Sequence, residues 1–357
     1  MQIPRTEVTL PPVCCDEGYL VSAPSYLVDR FVPACEIIRL PARRFGGGAG
    51  HYALGPGVAA PDRPGDDSRL RRLQARLRPP APRPGPAGRV LVDLRRDTLT
   101  PKNWAHFLDD YIPTVFHLCA RTGVAPGAVT LVLPERTPGF ILRAAALFGL
   151  DTLCTPLPLR GTVLSFGFET WNAIRAVRAD WARLPAIGAV LAPLRVPEGP
   201  PLRLFLSRRG TRVLSNEAEV AAFLAARGYR TVYAEDHSPA EQFRLFARAE
   251  AIVAIHGAAL APLLYRAPDA PLRQLVELFP PGHMTTVFRI VAEQVGIRWA
   301  GVRGRLRPEH IRPAYARGTP FTRHSLQAFH ADPEAVDLAL RICAEGADAV
   351  CATPRPE

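Results

Sequence analysis

Lysine is almost missing from this chain. Lys102 stands alone, so arginine supplies 43 of the 44 basic residues, and methionine occurs only twice. No run of about 18 uncharged apolar residues exists, so no segment reads as a membrane-spanning helix. The start, Met1 to Glu7, carries Pro4 and Glu7 where a secretory signal would carry a basic and then an apolar run. An intracellular, cytoplasmic protein is the expectation. No C-x-x-C occurs among the seven cysteines, and the adjacent Cys14 and Cys15 cannot easily grip one zinc ion together. They read as thiols of a reducing compartment. The P-loop, G-x-S-x-G, H-E-x-x-H and D-x-D patterns are all lacking as well. Without a D-x-D, any bound diphosphate must be neutralised by cationic side chains and backbone N–H groups, so neither metal nor cofactor is expected.

What is present is an ordinary globular balance over 357 residues, with 48% hydrophobic and 22% charged, long enough for two domains. The formal charge is +11. An excess of this size invites nucleic acid or an anionic membrane face. The skew toward Arg, Ala and Pro looks more like coding bias than selection for a polyanion, so nucleic acid is not expected. Anionic substrates and peripheral association with an anionic membrane stay open.

Residues 1–87 read as irregular, because Gly46 to Gly65 and Arg78 to Gly88 are dense in Gly and Pro. A short helix is expected near Ser68 to Leu77. Gly48 to Ala53 fits G-x-G-x-x-A, but no apolar strand precedes it and Pro56 follows, so it is set aside. From Val90 onward, strand and helix alternate. Strands are expected at Val90–Val92, Val129–Leu133, Leu202–Leu206, Thr231–Tyr233, Ala251–Ile255 and Leu275–Phe279. Helices are expected over 103–119, 139–148, 171–184, 216–228, 238–249 and 285–295, and from Asp332 to Gly346. Asn216-x-x-Glu219 resembles a capping box. The pattern implies α/β architecture with parallel sheets, and Pro193 to Pro201 reads as a hinge. Boundaries follow at 1–87, 88–198, 199–330 and 331–357.

Candidate chemistry gathers at strand ends. Ser207-Arg208-Arg209-Gly210-Thr211-Arg212 follows the 202–206 strand, where doubly wound sheets bind ligands. A guanidinium suits phosphate there, although a solvated loop reads equally well. His256-Gly257-Ala258 follows a buried strand and offers backbone N–H groups to an anion, or makes only a tight turn. Glu277 lies inside an apolar strand, where a carboxylate needs partners such as ribose hydroxyls or an arginine. Asn103 and Trp104 open a helix that sets His106 and Asp110 one turn apart on one face. That spacing suits a general base, and suits a surface contact too.

Together these residues resemble glycosyltransferase family 61, with its bacterial capsular-polysaccharide members. The resemblance runs from about Val90 to Trp299. It is carried by Ser207-Arg208, Arg212, Asn216-Glu217, Gly228-Tyr229, Glu235, Ser238, Glu241-Gln242, Ala249, His256-Gly257-Ala258 and Val276-Glu277-Leu278. Asn103, His106, Asp110 and Pro113 are similar to the family's N-x-x-H…D…P element. Where the family's turn reads H-G-A-G-L, this chain has Ala259. The resemblance implies GT-B architecture, two facing Rossmann-like domains, with the acceptor at 88–198 and the nucleotide sugar at 199–330. It further implies metal-independent inverting transfer from a nucleotide sugar, expected to be UDP-linked, to a glycan or lipid-linked glycan. Arg208, Arg212, Asn216, His256, Gly257, Ala258 and Glu277 would bind the donor. His106 or Asp110 would be the base, and Asn103 and Trp104 would lie on the acceptor side. A catalytically degenerate nucleotide-binding protein and a basic polyanion- or membrane-binding module are the rival readings.

Overall fold

A computed structural model describes residues 5–27, 30–60, 81–95, 102–168, 178–196, 199–307 and 325–345. The helix expected near Ser68 to Leu77 lies outside them, as does the tail beyond Glu345. The chain divides into two compact units. One comprises Met1–Val13, Phe45–Pro193 and Ser238–Ala240, and the other Cys14–Arg44, Leu194–His237 and Glu241–Glu357.

In the first unit, the strand Val90–Asp93 pairs in parallel with Val129–Leu133 and with Leu159–Phe168. Asp151–Cys154 adds in parallel beyond Val129–Leu133. Taken in chain order, these four lie 3-2-1-4, the order of a Rossmann half. The strand Val129–Leu133 is buried at every position, as expected for a parallel strand covered on both faces. The helix following the first strand runs from Trp104 to Thr122 and stops at Gly123, which takes φ 72°.

The second unit is the more regular. Its sheet orders Tyr229–Tyr233, Leu202–Ser207, Ala249–Ile255, Gln274–Phe279 and Arg298–Arg303 as neighbours, all parallel. That is 2-1-3-4-5 in chain order, the flavodoxin-like arrangement, whose direction reverses between the first and third strands. The helix Pro333–Glu345 packs Ala335, Val336, Ala339 and Ile342 onto Val276, Ala300 and Val302. It is therefore part of this unit's core rather than an appendage.

The expectation of an irregular stretch over 1–87 is corrected. Gly18–Ser22 pairs in parallel with Arg298–Arg303, and Glu36–Leu40 pairs antiparallel with Gly18–Ser22, so both extend the second sheet. Thr6–Leu10 and Gly48–Ala59 extend the first sheet, the latter pairing antiparallel along the whole of Leu159–Phe168. Glycine and proline do not exclude this strand. Thr6–Leu10 pairs only with residues 48–52, so Pro56 falls where the strand has one neighbour and its missing N–H costs nothing. The set-aside G-x-G-x-x-A stretch is strand throughout.

Candidate active site

The switch in strand order of the second sheet lies between Leu202–Ser207 and Ala249–Ile255, and the chain leaves these strands as Arg208 and His256. The Arg208 Nη1 donates to the His256 carbonyl oxygen at 3.1 Å, and the Arg212 Nη1 donates to the same oxygen at 3.4 Å. Arg208 Nη2 donates to Thr211 Oγ1 at 3.0 Å, and Arg212 Nε to the Ser325 carbonyl at 2.6 Å. The buried Arg208 Nε has no hydrogen-bond partner among the described residues. Gly257 is extended, and a side chain there would collide with Arg208 Nη1. A side chain at 257 would therefore displace the guanidinium rather than strain the backbone.

The three arginines of the loop are not equivalent. Arg209 is bound through both terminal nitrogens to Asp236, at 2.7 and 3.0 Å, and lies over the Tyr233 ring. Its hydrogen bond with Asp236 holds its pKa above the ordinary value. Arg208 and Arg212 have no carboxylate partner within ion-pair distance among the described residues. Burial pushes both below the ordinary arginine value, and Arg208 pushes Arg212 further down. Glu235 offsets part of this at Arg208, and two neighbouring half-buried cations without an ion-pair partner are a place that an anion would stabilise.

Behind this turn, His256 Nδ1 meets Glu277 Oε1 at 2.6 Å, and Trp299 Nε1 donates to Glu277 Oε2 at 2.9 Å. Glu277 is fully buried with both oxygens engaged inside the protein, so it meets a ligand only through His256. This replaces the ribose contact expected for it. The His256 ring stacks on Phe279 at 5.1 Å. His283 lies 5.5 Å away, its pKa lowered to about 4 by burial, then by His256 and Arg212. Ala258 opens a 3₁₀ turn running to Tyr265. Pro262 inside it denies the α-helical hydrogen bond.

Asn216 also differs from expectation. Its side chain makes no cap to the helix Glu217–Ala225. Its amide nitrogen donates to Glu219 Oε2 and to the Ala331 carbonyl, both at 2.8 Å, and its oxygen accepts from Ala331 N at 3.2 Å. An amide so occupied is not offered to a donor molecule.

In the first unit, Asn103 caps the helix by accepting from Ala105 N at 2.9 Å and His106 N at 3.4 Å. One wide π turn over Phe107–Tyr111 follows, a winding often found at functional sites. His106 Nδ1 lies 2.8 Å from Asp110 Oδ2, while Arg178 Nη1 donates to Asp110 Oδ1 at 3.3 Å. Asp110 is buried, whereas the His106 side chain is 31% exposed. Arg178, fully buried, escaped the sequence reading because its partner stands 68 residues away and arginine is everywhere in this chain. Trp104 is buried edge-to-face against Phe140, 5.9 Å between ring centres.

The pair Arg208 and Arg212 thus stands at the switch point of a parallel α/β sheet, the place where doubly wound sheets bind ligands. Residues 104–272 match the family model described as Glycosyltransferase 61, so this stretch of the chain is similar to glycosyltransferases of that family. The matched stretch includes His106, Asp110, Arg208, Arg212 and His256 to Ala258, and excludes Asn103 and Glu277. No curated protein matches the chain. Among the described residues, no helix is long and apolar enough to cross a membrane.

Proposed function

We propose that this protein is a GT-B glycosyltransferase that moves a sugar from a nucleotide diphosphate donor, UDP-linked in the first instance, to a glycan or lipid-linked glycan hydroxyl. The transfer inverts the anomeric centre and uses no metal. The observation that supports this reading is the shared grip of Arg208 and Arg212 on the His256 carbonyl, two half-buried cations without a carboxylate in ion-pair distance. Their guanidiniums supply positive charge where a diphosphate leaving group develops negative charge, which is where charge stabilisation contributes most to rate. His106 takes the proton of the acceptor hydroxyl through Nε2, since Nδ1 is held by the buried Asp110. General-base help of this kind contributes about 10²–10⁴-fold. The hydroxyl oxygen then bonds to the anomeric carbon, and the carbon–oxygen bond to the diphosphate breaks with its electron pair leaving on the nucleotide. Synthesis of surface or capsular polysaccharide on the cytoplasmic side of the membrane is the biological setting of this reading.

The test is nucleoside-diphosphate release from a panel of nucleotide sugars with a glycan acceptor, run with and without chelator. The proposal expects turnover with one donor and no effect of EDTA. Loss of activity in EDTA that manganese restores would refute the metal-free mechanism. Tight nucleotide binding without turnover would favour a catalytically degenerate protein.

A further inference from the structure

The matched family segment ends at residue 272, yet Arg212 of the cation pair is held in place by residues far beyond it. The segment Ser325 to Asp332 runs along the arginine loop as a strap. Arg212 N donates to the Leu326 carbonyl at 3.0 Å, Phe329 N to the Val213 carbonyl at 3.0 Å, and Ser215 N to the Phe329 carbonyl at 2.8 Å. Leu214 and Phe329 pair as a parallel bridge, and both are buried. The far end is pinned twice. Asn216 exchanges two hydrogen bonds with the Ala331 backbone, and Asp332 takes Arg305 through both carboxylate oxygens. Gly304 lies against Phe329 and the His330 carbonyl, closer than any side chain would permit.

Arg212 shows what the strap accomplishes. It is the one described non-glycine residue with positive φ, at 58°, a conformation costly for a residue with a Cβ. Such a conformation persists only where surrounding bonds over-determine it. Here the Arg212 backbone N–H and side-chain Nε are both bound to the strap, at Leu326 and Ser325. The second bond directs Nη1 to the His256 carbonyl beside Arg208. We infer that the Ser325 to Asp332 strap is an integral wall of the anion site, and that Asn216 is a positioning residue that aims Arg212 without touching the donor. The inference rests on the reading of Arg208 and Arg212 as the diphosphate site.

The experiment compares the full chain with Asn216→Leu, which keeps the volume and loses every hydrogen bond, and with Asn216→Asp, which keeps only the acceptor facing Ala331 N. Ile252→Val, a core truncation in the strand Ala249–Ile255, controls for general loss of stability. Hydrogen exchange is followed at Arg212, Ser215 and Phe329, and UDP and GDP binding by calorimetry. Faster exchange at these amides and nucleotide affinity about tenfold weaker in Asn216→Leu, with a smaller loss in Asn216→Asp, are expected. Ile252→Val should change neither. Unchanged exchange and affinity in both Asn216 variants would overturn the inference, as would an equal affinity loss in Ile252→Val. Failure of the unaltered chain and of Arg208→Ala alike to bind either nucleotide would sink the diphosphate reading, and with it the role of the strap in binding. The exchange data would still report separately whether the strap holds the loop.

Discussion

At the residue scale, the assignment turns on which charges are compensated. Arg208→Ala removes a cation with no carboxylate of its own, so the fold should be little affected. Transfer should fall by about 10²–10³-fold, the scale for loss of one charge-stabilising donor, measured as kcat/KM beside an unchanged circular dichroism spectrum. Gly257→Ala is the sharper probe. The backbone is extended there, so the added methyl group strains no dihedral angle and acts only by displacing the Arg208 Nη1. A displacement of about 1 Å in such a group can cost about 10²-fold in rate, and the melting temperature should barely move because the guanidinium end is free to swing. His283 supplies a pH prediction. Its folded pKa of about 4 lies below the ordinary 6.5, so the unfolded chain binds the extra proton first as pH falls. Stability should be intact above pH 6.5 and decline toward pH 4. A pH series of melting temperatures should show this slope, reduced in His283→Gln. The same slope in both proteins would discard the assignment.

At the scale of elements, Asn103 caps the helix bearing His106, and Asn103→Ala should cost about 1 kcal/mol in a denaturant titration. It should also loosen the first turn, where His106 N is one of the two capped amides. What the sequence disclosed about elements follows burial. Val129–Leu133, Leu202–Ser207, Ala249–Ile255 and Gln274–Phe279 are predominantly apolar and flanked by turn residues, so their strands and the loops at their ends were legible. That was enough to find Arg208, Arg212 and His256. The strands Leu159–Phe168 and Gly48–Ala59 were not legible, because Gly161, Gly167, Gly55, Gly57 and Pro56 are tolerated only by their partner's pairing, a long-range fact. Arg298–Arg303 hid for another reason. Its outer residues are charged or aromatic, and its burial at Ala300 and Val302 depends on the helix Pro333–Glu345. Likewise Asn216 read as a cap because Glu219 follows at the right spacing, whereas its true partner, Ala331, is remote in sequence.

At the scale of the molecule, a nucleotide that binds only the folded state must raise its stability. UDP or GDP at about a hundred times its dissociation constant should add about 2.7 kcal/mol, visible as a rise in melting temperature that Arg208→Ala abolishes. Arg203, Arg209, Arg227 and Arg39 each pair with a carboxylate, so they add nothing to the net charge of +11, which comes from other arginines.

The placement of Gly18–Ser22 beside Arg298–Arg303 also sets a timetable for biosynthesis. The two strands are about 280 residues apart, so the earliest part of the second sheet leaves the ribosome long before its neighbour exists. Translation proceeds at about 5–20 residues per second, so Leu20 and Val21 can pair early with Glu36–Leu40 while their other edge waits tens of seconds for Arg298–Arg303. A nascent chain stalled before residue 298 would carry one open strand edge, so completion of the second sheet at its Gly18–Ser22 side waits on the strand Arg298–Arg303.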